Sequence, residues 1–198
     1  MKAQEKPQFP KSISISTGTH KAVQQYYQKI VLKAYNQLGI EVEFVVLPEE
    51  RALILANQGK IDGDVIRIKT IEEDVPNLVP IYPLGAAHIY LICRKDIVCD
   101  EDILSDKKKI IGSVGGQKHY KTFIDRTKGR HLRFNDYRQL VKAFELDRLD
   151  VYFAVINPQL FGFEEIETKN FYKLEVIMGY HFIHKKYEYL KPYLIKSF

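Results

Sequence analysis

No stretch of about 18 consecutive apolar residues occurs in the chain, so no segment reads as a membrane-spanning helix. The N-terminal stretch MKAQEKPQFPK has no apolar core of the kind a secretion signal needs. Either the protein stays in the cytoplasm or an export signal has already been removed. Cysteine is scarce, with only Cys93 and Cys99, and the residues between them include charged Arg94, Lys95 and Asp96. Such a pair closes a small disulfide loop in an oxidising compartment or remains as two thiols in a reducing one. The six histidines form no His-x3-His pair and the cysteines no Cys-x2-Cys pair, which leaves His181 and His184 as a weak i,i+3 couple and argues against a metal centre. No cofactor is called for either. The stretch from Gly112 fails as a phosphate loop, because Gln117 stands where the second glycine belongs and His119 where Ser or Thr should follow Lys118. Ser113 does not sit in a G-x-S-x-G elbow, and no Cys/His signature surrounds either cysteine, so catalysis finds little support.

What the chain does have is an ordinary globular balance. Its 198 residues are 45% hydrophobic and 28% charged, well mixed, which suits one domain or two small α/β lobes and excludes a disordered or coiled-coil chain. The formal charge of +5 is spread along the sequence, often beside Asp or Glu. The one tight basic run, Lys107-Lys108-Lys109, follows the acidic stretch Asp100–Asp106 and reads as a solvated turn, so no nucleic-acid partner is expected.

Read in order, the chain alternates strand and helix. Ser12–Ser16 alternates strictly and predicts a strand with one buried face, Thr17-Gly18-Thr19 turns the chain, and a helix from about His20 to Leu38 ends at Gly39. Glu41–Leu47 predicts a second strand. Pro48 ends it, and Glu49 and Glu50 suit the first turn of a second helix that stops at Gly59. Ile61–Ile68 is a third strand ending in the cation Arg67. Leu78–Arg94 predicts two extended apolar segments broken by Pro80, Pro83 and Gly85. The strand–helix grammar then returns: a helical turn at Asp100–Leu104, a strand at Lys109–Val114, a helix around Tyr120–Ile124, a strand at His131–Asn135, a helix capped by Asn135 or Asp136, and a strand at Val151–Ile156. Phe171–Ile183 predicts a returning extended segment and Tyr187–Ser197 a final helix. Lys60-Ile61-Asp62 has an echo in Arg148-Leu149-Asp150, each between an amphipathic helix and an apolar strand, as expected of two lobes built alike.

Several pieces carry a resemblance: Arg51-Ala52-Leu53 with Gly59-Lys60-Ile61-Asp62-Gly63, Pro76-Asn77-Leu78-Val79, the turn Ile111–Gly116, and Leu149-Asp150. In this order and spacing the chain resembles the family 3 extracellular solute-binding proteins, from about Ser12 to Leu190. The resemblance implies an α/β type II periplasmic-binding fold of two lobes, each a mainly parallel sheet flanked by helices and joined by two hinge strands. It places lobe 1 at 11–86 and 178–198 and lobe 2 at 87–177, with 1–10 a leader or a segment added in expression. It further implies a monomer in the periplasm or outside the cell that binds a small polar or anionic solute, an amino acid or small carboxylate-bearing metabolite, and delivers it to an ABC-type membrane transporter without catalysing a reaction. A ligand-sensing domain of a signalling protein and a small dehydratase-like enzyme are the alternatives on this scaffold. Where family amino-acid binders carry an arginine for the ligand carboxylate, this chain reads Lys69-Thr70-Ile71-Glu72-Glu73-Asp74, and its cation comes earlier, as Arg67.

In parallel sheets ligands gather beyond the carboxyl ends of the strands, which selects the candidate residues. Arg67 matches a carboxylate bidentately, against the alternative of a surface pair with Asp64 or Glu72. Arg51 sits at a helix start, where a cation is disfavoured, against a salt bridge to Glu49 or Glu50. Thr17 offers a hydroxyl. Gly115, Gly116 and Gln117 offer backbone amides before a helix, against a tight turn with no ligand. Asn157 offers a side-chain amide at a strand end. Tyr82, His88 and Tyr120 are possible lining, against packing in a chain with 13 tyrosines. Asp62 and Asp150 are expected to brace turns.

Overall fold

The computed structural model describes residues 8–18, 23–69, 75–115, 118–157 and 170–198. Its backbone is one eight-stranded mixed sheet flanked by helices. The strands are β1 (Ser12–Thr17), β2 (Glu41–Val46), β3 (Gly63–Ile68), β4 (Leu78–Cys93), β5 (Ile110–Val114), β6 (Arg130–Phe134), β7 (Val151–Ile156) and β8 (Asn170–His184). The helices are α1 (Gln28–Asn36), α2 (Glu49–Asn57), α3 (Lys121–Ile124), α4 (Tyr137–Glu145) and α5 (Lys191–Ser197). The sheet order is β2-β1-β3-β8-β4-β7-β5-β6.

Two parallel triplets stand at the ends of this sheet. In one, β1 pairs with β2 and β3; in the other, β5 pairs with β6 and β7. Between them β4 and β8 run antiparallel, so the chain crosses from one half to the other along β4 and returns along β8. Sequence reading expects two extended segments over Leu78–Arg94; the structure has one long strand, because Pro80 and Pro83 lie where register shifts interrupt the ladder to β8 and no donor is missed.

Each half is covered on both faces. In the first, Ile13 and Ile15 pack with Val31 and Tyr35 of α1 and Leu194 of α5, while Leu53 and Ala56 of α2 pack on Phe182 from the other side. In the second, β7 is buried residue after residue: Val151 and Phe153 join Ile103, Tyr120 and Phe123, whereas Tyr152 and Ala154 join Leu140 and Ala143 of α4. A strand covered on two faces reads as a continuous apolar run, as VYFAVI does. Strand β1 buries its isoleucine face as expected, with Ser12 exposed and Ser14 half-buried on the other face. At the end of the serine face Ser16 is buried, and its Oγ is satisfied by Gly63 O at 3.0 Å and Asp64 Oδ2 at 2.8 Å.

The predicted helix from His20 is described from a π-helical turn at Val23–Tyr27 onward, and Gly39 ends it in the left-handed region at φ 72°. The second helical segment of the other half is shorter than the pattern implies, a 3-10 turn at Lys118–Tyr120 followed by the single turn of α3. Asp136 caps α4, accepting from Gln139 N at 2.9 Å. Pro192 stands in the first turn of α5, where its missing N–H costs nothing. Cys93 and Cys99 are joined as a disulfide.

Candidate functional site

The carboxyl ends of β1, β3, β5 and β7 deliver Thr17, Arg67, Gly115 and Asn157. Arg67 is the centre of the first half's contribution. On an undisturbed strand Asp64 and Arg67, three apart, would face opposite ways; here the ladder to β8 shifts register between them, and the bulge turns both side chains together. Arg67 Nη2 donates to Asp64 Oδ2 at 3.0 Å, and Nη1 forms an ion pair with Glu49 from the start of α2. The guanidinium side chain is only 9% exposed, so the pair is buried rather than a surface contact. Burial works against its charge, yet Asp64 and Glu49 outweigh that and hold Arg67 more firmly protonated than a free arginine. Asp64 itself is saturated, accepting also from Ser16 Oγ at 2.8 Å and Ile66 N at 3.2 Å.

Two buried polar atoms in this region lack partners among the described residues: Arg67 Nε in the first half and His119 Nε2 in the second. His119 follows β5 in the 3-10 turn, its ring 4.2 Å from that of Tyr120. Burial, and then the charge of Arg67, push its pKa down to about 3, so the imidazole is neutral. The Arg67 field therefore reaches across to the second half. So does that of Glu49, which with burial and other neighbours raises the pKa of Tyr120.

The halves also touch directly. Asn157 Nδ2 donates to the Tyr27 hydroxyl at 3.1 Å, and Arg133 pairs with Glu50. Beside these contacts lies a cavity of about 590 Å³ between α2 and the β5–β6 edge, lined in part by Glu50, Asn57, Ser113, Gly115 and Arg133.

The candidate residues separate accordingly. Thr17 is buried and its hydroxyl accepts from Gln28 Nε2 at 2.9 Å. Gly115 N donates to Phe134 O at 2.8 Å, and the Arg133 guanidinium lies over this glycine, where a side chain would meet its Nε at 2.4 Å unless the arginine moved aside. Gly116 and Gln117 lie outside the described residues, as does Glu72. Arg51 is exposed on α2, and the partners expected for it are engaged elsewhere, Glu49 by Arg67 and Glu50 by Arg133. Tyr82, half-buried, stacks on Phe198 with ring centroids 5.0 Å apart against the core of the first half, and Tyr120 is buried against Phe153, also at 5.0 Å, in the core of the second. His88 Nδ1 is 3.0 Å from the Tyr90 hydroxyl, on β4. Glu49, His119 and Tyr27 escaped sequence reading. Glu49 reads as a helix-start acid, and nothing in the spacing of the chain announces which cation it meets.

The fold so defined is shared with amino-acid-binding proteins of known structure. The chain matches no protein-family model and no curated protein. Among solved structures it is similar to holo ArgBP from T. maritima, with 13% identity over 94% of this chain and 88% of that one at a TM-score of 0.77. It is similar to an ancestral amino acid-binding protein described as a precursor of cyclohexadienyl dehydratase, with 16% identity over 94% of this chain and 88% of that one at 0.76. It is also similar to the substrate binding protein of an amino acid ABC transporter, with 12% identity, 94% and 91% coverage and a TM-score of 0.74.

Proposed function

We propose that the chain is a non-enzymatic solute-binding protein that holds a small polar solute of amino-acid size between its two halves and presents it to a membrane transporter. Residues 11–86 and 178–198 act as one lobe and 87–177 as the other, with β4 and β8 as the hinge strands. The observation that carries this reading is the pair of orphaned buried atoms, Arg67 Nε and His119 Nε2, one from each half. Native proteins pair such groups, and a solute polar atom between the halves supplies the missing partner. Thr17, Arg67, His119, Gly115 and Asn157, with Gly116 and Gln117, form the binding set. Contact with both halves is what allows a solute to select the closed arrangement. The Cys93–Cys99 bond favours an oxidising location, the periplasm or the cell exterior. Similarity of fold to an amino-acid transporter's substrate binding protein supports the transport role. The protein acts as a monomer, without cofactor.

Differential scanning fluorimetry against amino acids, small carboxylates and polyamines tests this. A solute present at about 100 times its Kd stabilises by ~2.7 kcal/mol, and Arg67→Ala should abolish the shift. No shift from any polar metabolite, with Arg67→Ala equally inert, counts against the reading.

A further inference from the structure

We infer that the solute meets Arg67 through a neutral oxygen, a carbonyl, carboxamide or hydroxyl, on a molecule without net negative charge, and that Glu49 is the residue that excludes a carboxylate from this point. The inference rests on the solute-binding reading above and specifies its chemistry.

Arg67 already carries two carboxylates. Asp64 accepts from Nη2 and Glu49 pairs with Nη1. Asp64 cannot be spared, since it also holds Ser16 Oγ and Ile66 N. Glu49 occupies the space just beyond the end of β1: a side chain added at Gly18 would lie 2.4 Å from its Oε1. The glycine makes room for a carboxylate of the protein at the place where an incoming carboxylate would have to sit. Two anions on one cation leave this cluster one negative charge in excess, and no second cation pairs with Glu49 or Asp64 among the described residues.

Of the three guanidinium nitrogens, Nε is the one that is buried with no partner. It carries one N–H, and Nη2, the nitrogen that would complete a fork with it, already donates to Asp64, so a single acceptor atom suits it better than the two oxygens of a carboxylate. The matching orphan across the cleft, His119 Nε2, belongs to a neutral ring that donates or accepts a hydrogen bond without adding charge. A carboxylate placed between them would be a third anion around one cation in a desolvated space, where like-charge contacts are costly. A neutral oxygen satisfies Arg67 Nε–H without that repulsion, and a cationic group elsewhere on the solute is attracted by the excess charge.

Matched probes read this directly. The twenty common L-amino acids and their C-terminal carboxamides, in which the carboxylate alone becomes neutral, are compared on the full chain by thermal shift and then by calorimetry. For the side chain that binds best, the carboxamide should bind at least about tenfold more tightly than the free acid, ~1.4 kcal/mol. Glu49→Gln removes one carboxylate and should narrow or reverse that ratio. The wild-type ratio stands as a test even where this variant folds poorly. A free acid that binds more tightly than its carboxamide overturns the inference and leaves the solute site in place. Silence from both sets, in the parent and in Glu49→Gln alike, overturns the site itself and the inference with it.

Discussion

Asn157 at the end of β7 donates its side-chain amide to the hydroxyl of Tyr27, 3.1 Å away in the turn that leads into α1. The two residues belong to opposite halves. Gly85, on the crossing strand β4, lies against both: a side chain there would be 3.5 Å from the Tyr27 hydroxyl and 3.7 Å from Asn157 Nδ2. The contact therefore bridges the halves where β4 passes. A hydrogen bond of this kind contributes about 1 kcal/mol net. Tyr27→Phe should shift the ratio of open to closed forms about fivefold toward open. Small-angle scattering of the solute-free protein should then give a larger radius of gyration than the parent. An unchanged radius would mean that other contacts, Arg133 with Glu50 among them, set the closed arrangement.

The Cys93–Cys99 bond closes a loop between residues six apart in sequence and ties the end of β4 to the following turn, where Cys93 is part of the core. Even a short loop of this kind restricts the unfolded chain, by ~2 kcal/mol in the chain-entropy account. Reduction, or the double replacement Cys93→Ser with Cys99→Ser, should lower Tm by about 4–8 °C for a chain of this size. Thermal scans with and without a phosphine reductant measure it, and the double variant should be insensitive to the reductant.

Asp62 and Asp150 hold the same post in the two halves. Asp62 Oδ2 accepts from Ser14 N at 2.8 Å and Asp150 Oδ2 from Ile110 N at 2.7 Å; each aspartate N–H also donates to the carbonyl of that same residue, at 2.8 Å in both cases. Asp150→Ala leaves the Ile110 N–H without its acceptor beside a well-packed strand. A cost of ~1–3 kcal/mol is expected, seen as a lower urea midpoint at an unchanged slope. A changed slope would show that the substitution alters the denatured ensemble instead.

That bracket explains which parts of the molecule are legible in the chain. Helix, glycine, aspartate and apolar strand succeed one another within a few residues, so the repeat of Lys60-Ile61-Asp62 in Arg148-Leu149-Asp150 is visible as text, and with it the doubled architecture. The cluster around Arg67 is different. Its approach to Asp64 depends on a register shift against β8, a strand that begins more than a hundred residues later in the sequence, and Glu49 reaches it through the packing of α2. A period of two, applied to Gly63–Ile68, puts Asp64 and Arg67 on opposite faces. His119 is likewise unremarkable as text, because nothing in its neighbours announces that its Nε2 is buried without a partner. Sequence reading finds the strand ends but not the charges that meet at Arg67.

His181 provides a pH test with a definite sign. It is buried, with Nδ1 facing the carbonyls of Asp64 at 2.9 Å and Val65 at 3.3 Å, and Nε2 2.8 Å from the Tyr35 hydroxyl. Two carbonyl partners place the proton on Nδ1, so Nε2 accepts from Tyr35 and the ring is neutral. Burial pushes the pKa down to about 4, the carbonyl bonds opposing it, against about 6.5 in the unfolded chain. The unfolded state therefore takes up a proton as pH falls through 6.5 while the folded state does not. Stability is complete above that pH and is lost progressively toward pH 4, by an amount on the order of 3 kcal/mol. His119, also depressed by burial, acts in the same direction. So, more weakly, do His88, His131 and His184, each lowered first by burial. His181→Gln removes one of these contributions, so urea midpoints taken between pH 7 and 4.5 should fall less steeply for the variant than for the parent. Equal slopes would assign the loss to His119 and the other depressed histidines.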